Sequence, residues 1–259
     1  MSLCAILAAA EPLSDGLRIA IPLDWHQGRT AYGGLSSALA LSAAMKVAPD
    51  LPPLRSAQIS FVGPLAGMVE VRAKLLRAGR NASWVSAEIS GEAGVGLLAS
   101  FVFMGPAQSA VQLDDCPVPE GIIPVEAAEA LPAGFGVTFL QNHFDVRFAL
   151  PRSGDRKPEF CWWVRARERD GLHPMAEPLL CADALPPGVM PFLPRGSPVS
   201  SMHWQASFLT SAPVTRDGWW LLRSTGDFAE KGCSSQRMQL WNADGAAVMN
   251  GMQSVALFG

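Results

Sequence analysis

The sequence of 259 residues predicts an α+β fold in two similar halves, each an antiparallel sheet wrapped around one buried helix. Three observations lead there. Residues 54–105 lie over residues 201–259 with Phe61 on Phe208, Gln58 on Gln205 and Gly94 on Gly245, and the elements follow in the same order. Residues 35–47 are rich in Ala, Leu and Ser with almost no charge on any side, the mark of a buried helix. Between the halves, residues 106–132 turn to proline, alanine and acidic side chains, the composition of a connecting segment. The expected division is therefore an N-terminal half at 1–108, a linker at 109–133 and a C-terminal half at 134–259.

The elements follow in order. A short strand at 17–22 precedes the polar, glycine-rich stretch from Asp24 to Gly34, which leads into the helix at 35–47. Strands are expected at 54–62, 68–77, 83–90 and 95–104, with residues 91–94 as the turn before the last. The linker is given a short helix at 125–130. The pattern then restarts with strands at 144–150 and 159–168, a helix at 177–184, and strands at 199–209, 219–226, 234–241 and 246–258.

Composition excludes several classes. A hydrophobic fraction of 49% with 17% charged residues supports a large core, and a net charge of −3 with scattered Lys and Arg offers no surface to nucleic acid. The five cysteines are widely spaced without a C-x-x-C pair, so they read as buried thiols in a reducing compartment, with no metal site. The apolar residues 1–10 lack a basic flank and soon meet Glu11 and Asp15, unlike a secretory signal. No apolar run reaches the roughly 18 residues needed to span a membrane. A cytoplasmic protein is expected. Eight tryptophans in a weakly charged chain point to a homo-oligomer, a dimer or a dimer of dimers.

In the repeat register Leu54 faces Ser201 and Val102 faces Gln253, so only the second copy places hydrogen-bonding side chains at these positions. Asp183 stands in the apolar run Pro178-Leu179-Leu180-Cys181-Ala182-Asp183-Ala184-Leu185-Pro186-Pro187. A carboxyl buried there without a cation has a raised pKa and suits a base or a water-orienting acceptor; the alternative is a solvent-facing or capping carboxylate. Gln253 shares its strand face with Ala247, Met249, Gly251, Val255 and Leu257, so its amide is either structural or a ligand for water and substrate. Ser201 shares a polar face with His203, Gln205 and Ser207, while Met202, Trp204, Ala206 and Phe208 form the apolar one. No G-x-S-x-G elbow surrounds it, which argues against a serine hydrolase. His26, His143, His173 and His203 have no metal-ligand spacing, and His203 is the best pocket candidate because it lies two residues from Ser201. Gly33 and Gly34 allow close approach of a ligand or a neighbouring strand at a helix start.

Tyr32-Gly33-Gly34, the run Leu179 to Pro187, Val199-Ser200-Ser201 and Gln253 together resemble the acyl-CoA thioesterase II-like, double-hotdog family over nearly the whole chain. The resemblance implies two tandem hotdog repeats and hydrolysis of acyl-CoA to a free acid and CoA, with no cofactor beyond the coenzyme A of the substrate. It also implies that Asp183, Ser201 and Gln253 hold the attacking water, without a covalent intermediate. Backbone N–H groups near a helix N-terminus would stabilise the oxyanion, and apolar faces would take the acyl chain. Gly33, Gly34, Gln58 and His203 are the expected substrate-binding residues. The chain departs from the family with Ser201 in place of Thr, His203 in place of an acidic residue and Gln58 in place of His. A hotdog hydratase or dehydratase would require a His and Asp pair on the helix, and a non-catalytic acyl-CoA binder is the other alternative.

Overall fold

The alternation of apolar and polar residues is realised as one continuous sheet in the computed structural model, which describes residues 1–48, 50–132, 134, 136–151 and 154–258. The first half runs α1 (Leu3–Ala8), β1 (Glu11–Leu13), β2 (Gly16–Ile21), the small hairpin β3 (His26–Gln27) and β4 (Thr30–Ala31), and α2 (Gly33–Ala44). Its meander is β5 (Leu54–Phe61), β6 (Gly67–Ala78), β7 (Ala82–Gly91) and β8 (Gly94–Met104). The second half runs α3 (Thr138–His143), β9 (Phe144–Phe148), β10 (Glu159–Ala166) and α4 (Ala176–Ala182). It closes with β11 (Val199–Phe208), β12 (Trp220–Glu230), β13 (Cys233–Asn242) and β14 (Ala247–Leu257).

The strand order β1-β2-β6-β7-β8-β5-β11-β14-β13-β12-β10-β9 reads nearly the same from either end, as expected of two repeats related by a local two-fold. β5 and β11 join the halves as an antiparallel pair from His203 opposite Ser60 to Ser207 opposite Ser56. Each strand thus covers the edge that the other would expose. Helices α2 and α4 pack against each other, and one core cluster takes side chains from both halves.

Helix α2 is buried on all sides from Gly34 to Ala44. Three serines are tolerated there because their hydroxyls donate back to carbonyls one turn earlier: Ser36 to Tyr32, Ser37 to Gly33 and Ser42 to Ala38. Tyr32, at the N-cap, is fully buried and donates its phenol to the Leu180 carbonyl at 2.7 Å, tying the start of α2 to α4.

Four expectations are corrected. Residues 125–127 form a turn, with Ala127 and Ala128 both donating to the Pro124 carbonyl, and Ala130 bridges to Arg147, because the segment packs against the sheet instead of coiling. The helix expected at 177–184 ends at Ala182 and leaves Asp183 as its C-cap, since Pro186 and Pro187 cannot continue a helix. The repeat register changes by one along the last strand. Trp204 pairs with Gln253 as Ala57 pairs with Phe101, so Gln253 occupies the place of Phe101 and not of Val102. The cause is the turn: four residues separate the paired Ser90 and Val95, and five separate the paired Trp241 and Ala247. Finally, the tryptophan argument for an oligomer loses its premise. Seven of the eight are buried within the single chain, and the connecting segment itself covers three of them in a second cluster with Val125 and Ala128. Trp163 and Trp241 donate their indole N–H groups to Ile123 and Cys116 of that segment, both at 2.8 Å.

The contact between the two helices yields a prediction. Tyr32→Phe leaves the buried Leu180 carbonyl without its phenol donor and should lower unfolding free energy by about 1–3 kcal/mol. Urea denaturation should show this as a lower midpoint at an unchanged slope.

Candidate active site

The chain ends α4 at Asp183 and directs its carboxyl at the first turn of α2, across the junction of the halves. Gly34 donates its backbone N–H to that carboxyl, and Gln253 on β14 donates Nε2 to Oδ1 at 2.8 Å. The two glycines have separate steric reasons. A Cβ on Gly33 would stand 2.5 Å from Asp183 Oδ2 and 3.0 Å from the Phe61 ring, and one on Gly34 would stand 2.5 Å from the Leu180 carbonyl oxygen. Any other residue at position 33 would push the carboxylate out of its place.

Burial pushes the Asp183 carboxyl up to about 7, and the donations from Gln253 and Gly34 oppose that rise without cancelling it. The positive end of the α2 dipole acts in the same direction as the two donors. As a residue Asp183 is half-buried, at the C-terminal end of α4. A carboxyl with these properties exchanges a proton near neutral pH, as a general base must.

Gln253 is 3% exposed, and its Oε1 accepts from Gln236 Nε2 at 2.7 Å. Gln236, on β13 directly opposite Gln253, is 1% exposed and accepts the Gly188 backbone N–H at 2.9 Å. Sequence reasoning missed this residue. The signal was the one that picked out Gln253, an amide at period two with the apolar Met238 and Leu240.

Ser201 lies on a different face from the one expected. Met202 is the extra residue of a β-bulge: Ser201 pairs with Val255, His203 with Ser254 and Trp204 with Gln253. Directly paired residues share a face, so Ser201 points inward with Val255 and Gln253 instead of outward with His203. The first half has the same bulge at Arg55, which turns Leu54 inward in the equivalent place. No hydrogen bond joins Ser201 to Asp183 or Gln253 among the described residues.

Two expected substrate-binding residues are corrected. His203 and Gln58 are exposed on the outer face of the sheet, opposite Ser60 and Gln205 respectively, with the sheet between them and Asp183. For His203 the reason is the bulge. For Gln58 it is strand parity, since Ala57 and Ile59 on either side point into the core. Gln58 and Ser60 instead line an outer groove of about 570 Å³ with Arg72 and Lys74. The structure therefore brings together Asp183, Gln253, Gly33 and Gly34, with Ser201 on the same face.

Comparison with known proteins identifies the family and the fold. The acyl-CoA thioesterase N-terminal domain matches residues 21–104, and the acyl-CoA thioesterase C-terminal domain matches residues 115–257. No curated protein matches the chain. A hot dog-fold protein of unknown function from Alicyclobacillus acidocaldarius superposes over 100% of this chain and 99% of its own, at 17% identity and a TM-score of 0.84. The tesB protein of Mycobacterium avium subspecies paratuberculosis covers 100% of both chains at 18% identity and a TM-score of 0.75. An acyl-CoA thioesterase II from Mycobacterium marinum covers 100% of this chain and 99% of its own at 15% identity and a TM-score of 0.74. These structures show the double-hotdog fold.

The raised carboxyl has a cost in stability whose sign is fixed. Between the ordinary value of about 4 and the folded value of about 7, the native state holds a proton that the unfolded chain has released, so stability falls as pH rises. Above 7 the cost is complete, on the order of 4 kcal/mol. Asp183→Asn removes the charge. Its unfolding free energy relative to the parent should rise by about 2–3 kcal/mol between pH 5 and pH 8 in paired denaturation curves. A difference independent of pH would mean that the carboxyl is not raised.

Proposed function

Because the chain belongs to the acyl-CoA thioesterase family and is a thioester hydrolase, we propose that it cleaves acyl-CoA by direct attack of a water held at Asp183. The observation that carries this reading is the buried carboxyl, with a pKa of about 7, fixed by Gln253 and Gly34 at the start of a helix.

In the proposed reaction the Asp183 carboxylate takes a proton from the water as its oxygen adds to the thioester carbonyl carbon. The carbonyl π electrons move onto oxygen, and the resulting anion is stabilised by backbone N–H groups at the start of α2. Those of the first turn have no partner within the helix. Gly33 is the best placed, being partly exposed and in contact distance of the carboxyl. The tetrahedral anion then collapses and the C–S bond breaks. The sulfur of CoA leaves as thiolate and receives the proton from Asp183, which restores the base and releases the free acid.

Gln253 contributes an N–H that holds the carboxylate in one orientation. Ser201 supports the same site from the adjacent strand. Its paired residue Val255 is two positions from Gln253, a diagonal separation of roughly 7–8 Å, so hydroxyl and amide meet at a shared water and not at each other. Serine has the hydroxyl for that role without the methyl group of threonine. The apolar inner faces of the strands and of α2 offer the surroundings an acyl chain needs.

The test is release of free thiol from a panel of acyl-CoA substrates. Asp183→Asn should lower kcat by about a hundredfold or more with KM nearly unchanged. Ser201→Ala and Gln253→Ala should each cost less, and their combined loss should fall short of the product because they serve one water. Binding of acyl-CoA by the parent without thiol release would replace this reading with a non-catalytic binder. In the parent, kcat/KM should fall on the acid side of about pH 7 with a slope of one, as the Asp183 carboxylate takes up a proton.

A further inference from the structure

Gln253 serves Asp183 only when its amide is turned with nitrogen towards the carboxyl. A side-chain amide has a donor end and an acceptor end of nearly equal size, so something must choose between the two orientations. The Gly188 backbone N–H makes that choice, because it can only donate. It donates to Gln236 Oε1 at 2.9 Å, which leaves Gln236 Nε2 facing Gln253 at 2.7 Å. Gln253 must then present Oε1 to Gln236 and its own Nε2 to Asp183, at 2.8 Å.

We infer that Gln236 is a positioning residue for the hydrolysis: it carries the direction of the Gly188 N–H through two amides, so that Asp183 always receives a donor and never a carbonyl oxygen. Gly188 is suited to start the chain. It lies five residues after Asp183, and a Cβ there would run into the Gly226 nitrogen, so the loop seats directly on β12. Gly226 in turn pairs with Gln236 across the sheet, which places loop, amide and strand in one row. Gly188, Gln236 and Gln253 are all buried, so water does not compete for the amide positions.

Without Gln236 the Gln253 amide can turn over. Its oxygen then faces Asp183, repels the carboxylate and accepts a bond from the protonated acid. Both effects favour the protonated form. Other groups do not blur this titration. Tyr32 at the N-cap of α2 and Cys181 from α4 are both pushed upward, chiefly by burial, away from the neutral range. The side chains that β5, β11, β13 and β14 direct towards this region, Phe61, Ser201, Gln236 and Gln253, carry no charge.

The inference rests on the reading of Asp183 as the base, and its test separates the two. The Asp183 carboxyl is followed by carbon-13 NMR on aspartate-labelled protein, with Asp183→Asn assigning the signal, alongside the pH profile of kcat/KM. In Gln236→Met the Asp183 titration should move upward by about one pH unit, and the acid limb of the profile should move with it. Activity at pH 7 should fall by about fivefold at unchanged KM and recover most of that loss at pH 9. If the methionine variant folds poorly, Gln236→Leu replaces it: it likewise has no N–H for Gln253 and adds no charge near Asp183. A folded variant whose Asp183 titration stays in place overturns the inference. A titration that moves while the acid limb does not upholds the orienting of Gln253 by Gln236 and overturns the assignment of Asp183 as base.

Discussion

The approach of the Asp183 carboxyl to the first turn of α2 is the contact on which the site depends, because it joins the C-terminal end of one half's helix to the N-terminal end of the other's. It exists only while the β5–β11 pair keeps both helices on one face of one sheet. The Tyr32 phenol holds the same two elements together a few ångströms away. Neither half can form the site alone: the first supplies the glycines and the helix dipole, the second the carboxyl and the amides.

The same contact sets stability against activity. Burying a carboxyl without a cation is unfavourable once it ionises, and the two N–H donors recover only part of that. A salt bridge would make the chain more stable but would hold the carboxyl far below neutral pH, where it is a poor base. Neutral donors keep the proton exchangeable. They also leave the site sensitive to which end of each amide faces inward, a sensitivity that a charged partner would not have.

Much of this was legible in the sequence, for identifiable physical reasons. Helix α2 announced itself by the absence of charge on every side, and Asp183 and Gln253 stood out as polar groups in apolar rows. What escaped was set by pairing and not by composition. Nothing in the residues around Met202 marks the bulge that turns Ser201 inward and leaves His203 outside, since a bulge is a property of two strands. The extra residue in the turn after β13, which moves Gln253 from the place of Val102 to that of Phe101, likewise appears only when partners are matched. The connecting segment has the prolines and acids of a spacer, yet its carbonyls accept from Trp163 and Trp241 and its apolar residues cover the outer face of the sheet. Gln236 carries the same signal as Gln253, an amide standing where the first half has the apolar Val85.

The central claim is that water, not the Asp183 oxygen, attacks the thioester. A single turnover with enzyme in excess over acyl-CoA in oxygen-18 water decides it, with mass spectrometry of both the released acid and the peptide containing Asp183. Direct attack places one heavy oxygen in the acid during that first turnover and leaves the peptide unlabelled. Heavy oxygen in the Asp183 carboxyl, with unlabelled acid, would show a covalent anhydride and contradict the account.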